Sequence, residues 1–172
     1  MPCYLVSPIH ERRGDELFNT ALILGPEGEL AGRYDKIHIT EGEIRGGLTP
    51  GTLGQPPTPT SFGPLGCQIC FDVNWPATWD ALVDAGAGII AYSSAYAAGY
   101  LLNSIAAQWH AWIISSTREA SHRIIDPVGR DLVKGGTRCA WLYHDIYPDF
   151  GVFHWDSQHE KAMDIVRKYG AR

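Results

Sequence analysis

The 172-residue chain is expected to fold as a single α/β domain with mixed sheets, and three features carry that expectation. From Leu65 onward, short apolar runs alternate with segments of helical length. Two pairs of apolar runs flank Pro-x-Gly turns, Pro26-Glu27-Gly28 and Pro127-Val128-Gly129, as β-hairpins do. Runs such as Ile89-Ile90-Ala91 and Ile113-Ile114 are apolar without alternation, which suits strands covered on both faces.

In chain order, Tyr4 to Ile9 reads as a strand and His10 to Glu16 as a polar loop. Leu17 to Leu24 is a second strand, and Glu29 to Tyr34 returns antiparallel after the first turn. Lys36-Ile37-His38-Ile39 is apolar enough to continue inward. Gly42 to Pro64 is rich in Gly, Pro and Thr, has no period, and is expected to be a long loop of the kind that often serves function. Leu65 to Phe71 is a buried strand. Pro76 to Ala85 is a short helix with proline in its first turn and Gly86 past its end. Gly88 to Tyr92 is a strand, Asn103 to Trp112 a helix, and Ile113 to Thr117 another strand. His122 to Asp126 and Asp131 to Lys134 form the second hairpin. Ser157 to Tyr169 is the last helix, with Ser157 and Glu160 at capping-box spacing and Gly170 beyond the end.

Composition narrows the function classes. A net charge of −5 with no basic stripe argues against a nucleic-acid surface. Four cysteines in a chain of this length do not make a disulfide scaffold, and Met1-Pro2-Cys3-Tyr4 has no basic leader region, so a reducing, cytoplasmic setting is expected. Ala85 to Thr117 holds no Asp, Glu, Lys or Arg. It is broken by Gly86, Gly88, Ser93, Ser94, Gly99, Asn103 and Gln108, so it reads as buried strand, loop, helix and strand, with no membrane contact expected.

Cys70 is the residue with most chemistry in reach. It ends an apolar run and precedes a polar break and a proline that opens a helix. A thiolate is the nucleophile, and a helix N-terminus favours negative charge. Such a cysteine needs a cation and a proton-transfer partner. Lys36 is the candidate cation, because a lysine among apolar strand residues is unusual unless its ammonium is paired. Cys67-x-x-Cys70 also has redox or half-zinc spacing. Residues three apart on a strand face opposite sides, and zinc wants four ligands, so Cys67 is expected to be a core residue, with no metal and no cofactor. A thiol redox protein is the competing reading of that pair. Asp72 is expected to order the turn after Cys70, and His38, His110 and His122 to be structural, without clear partners.

Several motifs together resemble the nitrilase superfamily of carbon–nitrogen hydrolases. Tyr34-Asp35-Lys36-Ile37-His38 resembles its lysine motif, and Gly66-x-x-Ile69-Cys70-Phe71-Asp72-x-x-x-Pro76 its nucleophile motif. Asn19 to Leu24 with Pro26, Gly28 and Glu29 is similar to the preceding hairpin, and Leu48-Thr49-Pro50-Gly51 to the loop between lysine and cysteine. Gly86-Ala87-x-Ile89-Ile90, Ser94-Ala95-Tyr96 and Ile124-Ile125-Asp126-Pro127-x-Gly129 complete the set, in the family's order.

The resemblance implies an α-β-β-α sandwich, here lacking its first strand–helix units. It implies a Glu-Lys-Cys triad in which Cys70 forms a thioester and the Lys36 ammonium with the Phe71 backbone N–H holds the oxyanion. It implies a supporting glutamate, for which Glu43 is chosen with Glu41 close behind because loop spacing does not settle it, and a pocket touched by Asn74, Trp75, Ser94 and Tyr96. The implied substrate is a small amide, N-carbamoyl compound or nitrile. Residues 144–172, with Tyr147, Phe150, Phe153 and Trp155, resemble an extension that joins subunits in a homodimer or higher homo-oligomer. The family's base glutamate lies ahead of a segment like Tyr4 to Ile9, and neither Glu11 nor Glu16 matches it. Weak or no hydrolysis is therefore expected of the chain as written, and a non-catalytic fragment or interaction subunit, needing a partner to complete its sheet, is the alternative.

Overall fold

A computed structural model of the chain describes residues 3–118, 121–136, 141–152 and 156–170. It is a mixed α/β structure with two sheets. Three antiparallel strands, β1 (Leu5–Arg13), β2 (Glu16–Leu24) and β3 (Leu30–Asp35), make the first sheet in sequence order. The second has the order β4-β5-β6-β7-β8: Leu65–Ile69, Ile89–Ser94, Trp112–Thr117, Arg123–Ile125 and Asp131–Lys134. Strands β4, β5 and β6 are parallel, whereas β7 and β8 are antiparallel to their neighbours. The helices are α1 (Glu41–Arg45), α2 (Pro76–Asp84), α3 (Leu101–Trp109) and α4 (His159–Tyr169).

The alternation of strand side chains sorts the core into two layers. Leu65, Cys67, Ile69, Ile89 and Trp112 face the first sheet and pack on Ala21, Ile23 and Tyr34. Ile90, Tyr92, Ile113 and Ile125 face the other way, against Trp79 and Leu82 of α2 and Leu102, Ile105 and Ala106 of α3. Gly66 lets α2 come close: a Cβ there would stand 3.2 Å from Ala87 and 3.3 Å from Leu82. On the first sheet, Leu22 and Leu24 share the opposite face with exposed Leu5, Ile9 and Leu30. No helix among the described residues is long and apolar enough to cross a membrane.

The structure departs from the sequence expectations at five places. The expected loop His10–Glu16 is mostly strand: β1 and β2 stay in register from Leu5↔Leu24 to Arg13↔Glu16, leaving a two-residue turn at Gly14 and Asp15. The polar side chains are accommodated because Glu11 meets Arg33 and Arg13 meets Asp35. The long loop carries α1, set by a capping box between Thr40 and Glu43. Strand β4 stops at Ile69, and Cys70–Asn74 forms a 3₁₀ turn. Helix α3 starts at Leu101 and ends where His110 turns left-handed at φ 50°, which frees Trp112 for β6. Helix α4 starts at His159 with no side-chain cap, since Ser157 is left-handed at φ 59° and the expected capping box does not form. Phe153 and Trp155 lie outside the described residues.

Candidate active site

The parallel strands β4, β5 and β6 all deliver their carboxyl ends to one cavity of about 410 Å³, the position where open α/β sheets collect ligands. Cys70 arrives from β4, Ser93 and Ser94 from β5, and Ser116, Thr117 and Arg118 from β6. The opposing sheet contributes Pro8 and Asn19, and the chain after β3 adds Lys36 and Glu43.

Cys70 reaches the cavity through strained backbone. Its φ is 48°, a left-handed conformation that costs a non-glycine residue about 1–3 kcal/mol. Such strain persists only where surroundings over-determine it. The Tyr92 hydroxyl donates to the Cys70 carbonyl at 3.1 Å, and Asp72 anchors the turn from within the core. Cys67, three residues earlier, is buried between the sheets, and burial pushes its thiol up to about 12. The two are free cysteines with different environments: Cys70 is half-buried on the cavity wall.

Lys36 follows the last residue of β3 and is only 2% exposed. Its ammonium donates to Glu43 Oε2 at 2.6 Å. Glu43 is held in turn by the Thr40 backbone N–H at 2.6 Å and by the Asn19 amide at 2.8 Å. Burial works to raise the Glu43 carboxyl, but the hydrogen bonds from Lys36, Thr40 and Asn19 win and hold it at about 2. A carboxylate with so little proton affinity is a charge partner for Lys36 and a poor general base near neutral pH. Glu41 is turned away, exposed and paired with Arg45 at 2.9 Å.

The other residues singled out by sequence fall into two groups. Ser94 lines the cavity, and its Oγ accepts the Tyr96 N–H at 2.8 Å while the Tyr96 ring is exposed. Phe71, Asn74 and Trp75 belong to the turn beside the cavity and are not part of its wall. Asn74 donates back to the Phe71 carbonyl at 3.0 Å, and the Phe71 ring stands on edge to Trp75 at 4.7 Å. The Phe71 N–H sits at the start of the 3₁₀ turn, adjacent to the Cys70 sulfur in the chain.

His38, His110 and His122, expected to lack clear partners, all have them. His38 stacks flat on Trp75 at 4.0 Å and places Nδ1 3.1 Å from Asp72. His110 Nδ1 lies 3.3 Å from the Pro127 carbonyl. Asn19, Ser116, Thr117 and Arg118 were also missed as cavity residues. Their signal was present: Asn19 is a polar residue in register with inward Ala21 and Ile23, and Ser116 to Arg118 is the polar end of an apolar strand.

Fold and site together define an α/β protein with a lysine–glutamate pair and a turn-borne cysteine on one cavity at the strand ends. The sequence pattern of the carbon-nitrogen hydrolase family matches residues 1–142, and the chain belongs to that family. It is 28% identical over 168 residues to the chloroplastic omega-amidase of Arabidopsis thaliana, covering 92% of this chain and 43% of that protein. It is 31% identical to the probable hydrolase nit2 of Schizosaccharomyces pombe, covering 90% and 62%. The chain thus spans about half the length of these relatives. Among solved structures, a carbon-nitrogen hydrolase from Helicobacter pylori superposes with a TM-score of 0.71 at 23% identity, over 77% of this chain and 57% of that one. The C. elegans NitFhit protein gives 0.70 at 23% identity, over 78% and 40%.

Proposed function

We propose that the chain carries the nucleophile half of an amidase-type site, acting on a small amide, N-carbamoyl compound or nitrile through a thioester on Cys70. The observation that carries this reading is the shared cavity of Cys70 with the Lys36–Glu43 pair. In the proposed step the Cys70 thiolate adds to the carbonyl carbon of an amide. The oxyanion is held by the Lys36 ammonium, which lines the cavity, and the proposed second donor is the Phe71 N–H, next in the chain to Cys70 at the cavity's edge. Collapse breaks the C–N bond and expels the amine, which takes a proton from solvent water, and leaves an acyl thioester; a second water cleaves the thioester to the acid and frees Cys70.

The kinship to proteins named amidases and nitrilases supports the bond class. Glu43 is the only carboxylate on the cavity wall among the described residues, and it is committed to Lys36. We therefore propose that acylation outruns turnover in this chain. Arg118, with no side-chain partner among the described residues, suits a substrate with an anionic group remote from the amide.

Intact-mass measurement after exposure to short amides and to an activated ester tests the reading. One acyl adduct is expected, lost in Cys70→Ala. No adduct, or an adduct that survives Cys70→Ala, would overturn it. A second reading, an interaction subunit completed by another copy or another protein, is supported by exposed Leu5, Ile9 and Leu30 on the first sheet. Sedimentation analysis tests it: a strict monomer at high concentration counts against self-association.

A further inference from the structure

Lys36 and Cys70 approach the cavity from different sheets, and their separation sets whether one oxyanion can meet both. The Asp72 carboxylate joins the two carriers. It is fully buried. Oδ1 accepts the His38 backbone N–H at 2.7 Å and lies 3.1 Å from His38 Nδ1. Oδ2 accepts the Tyr34 hydroxyl at 2.9 Å and, more weakly, the Ile69 N–H at 3.4 Å. Tyr34 and His38 lie two residues either side of Lys36, and Ile69 and Asp72 bracket Cys70. The flat stack of His38 on Trp75 continues the connection to the end of the cysteine turn.

We propose that Asp72, with His38, is a positioning clasp that holds the Lys36 segment and the Cys70 turn in one fixed relation. The clasp rests on the reading of Cys70 as the acyl-forming residue only for its consequence, not for its geometry. Three donors, the Tyr34 hydroxyl and the His38 and Ile69 N–H groups, meet one carboxylate directly, and His38 Nδ1 stands against it as well, so the connection is short and rigid. Burial raises the Tyr34 hydroxyl far above its ordinary range, so it stays protonated and remains a donor. The clasp also supplies part of the constraint that the left-handed Cys70 backbone requires. Asp72 and His38 are positioning residues: neither belongs to the cavity wall.

Two measurements test the clasp, on the full chain. Hydrogen exchange of Asp72→Asn, and of His38→Phe as a variant that keeps the stack, is compared with wild type. The clasp requires faster exchange, about tenfold or more, in peptides spanning 34–40 and 69–75 together, with β5 and β6 unchanged. Acceleration in only one segment, or in neither, overturns it. This readout stands even if wild type forms no acyl adduct, an outcome that would sink the nucleophile reading alone. The second measurement compares acylation of Cys70 by an activated ester with its alkylation by iodoacetamide. Acylation needs both oxyanion donors and alkylation does not. Acylation should fall about tenfold in Asp72→Asn and His38→Phe, with alkylation changed less than about threefold. His38→Asn, whose amide can replace Nδ1–H, should restore acylation. Parallel loss of both reactions in all three variants would show a merely structural role and refute the positioning claim.

Discussion

Replacing Glu43 by alanine is the most direct probe of the site's electrostatics. The Lys36 ammonium is 2% exposed and its partner carboxylate 17% exposed, 2.6 Å apart. Removing one partner of a buried pair leaves an uncompensated charge, which costs about 3–5 kcal/mol. The partial exposure of Glu43 lets water approach, so the lower end, about 3 kcal/mol, applies. The Asn19 amide and the Thr40 N–H also lose their acceptor, which keeps the cost from falling further. With a urea m-value of about 2 kcal/mol/M, the midpoint should drop by about 1.5 M. The melting temperature should fall by about 6–12 °C for a chain of this size. The double variant Lys36→Met/Glu43→Ala should recover about half of the loss, because the stranded charge is gone. Urea denaturation of the two singles and the double closes the cycle. A Glu43→Ala cost under about 1 kcal/mol, or a double variant that loses the full sum, would refute the coupling.

The pH dependence has a fixed sign. The folded Glu43 carboxyl sits at about 2 against an ordinary 4.5, so its contribution is complete above pH 4.5 and lost as pH falls toward 2; thermal melts across this window should show a flatter acid limb in Glu43→Gln. Thiol labelling should separate the cysteines: Cys70 on the cavity reacts in the native state, while Cys67, buried and pushed up to about 12, reacts only after unfolding, as peptide mapping would report. Native labelling of Cys67 would contradict its placement. Gly51→Ala should destabilise and disturb Lys36, because the new Cβ would collide with the Asp35 carbonyl while the Gly51 N–H is bonded to the Lys36 carbonyl; a combined loss of stability and of Cys70 acylation is the expected readout.

The second sheet was legible in the sequence because its signals are local. Apolar runs of strand length, Pro76 at a helix start and Pro-x-Gly turns each act over a few residues, and they placed β4 to β8, α2 and the hairpins close to where they lie. The failures came where partners are distant. His10 to Glu16 looks like a loop by composition, and becomes strand because Arg33 and Asp35, some twenty residues on, satisfy Glu11 and Arg13. α1 is a different case: Thr40-x-x-Glu43 was a readable capping box, obscured by the Gly and Pro around it.

The same division explains the site. Residue types drew attention to Cys70 and Lys36, a thiol at a strand end and a lysine between apolar residues, and the ordered motifs that resemble the nitrilase superfamily joined them as a candidate pair. Spacing alone left Glu41 and Glu43 both open, since both lie on α1. What separates them is direction: on a one-turn helix capped by Thr40, residue 43 is the third position and folds back over the cap, toward Lys36, while residue 41 points out to Arg45. The Thr40 N–H that Glu43 accepts is therefore both a helix cap and a site contact. Fixing the cap fixes the carboxylate, and the carboxylate fixes the ammonium. A Thr40→Ala variant follows from that chain of contacts. It removes the hydroxyl bonded to the Glu43 N–H at 3.3 Å while leaving Lys36 and Glu43 themselves unsubstituted. It should cost about 1 kcal/mol as a lost cap. It should also slow Cys70 acylation, followed by intact mass, because α1 orients Glu43; unchanged acylation would show that the ion pair orients itself and refute the chain of contacts.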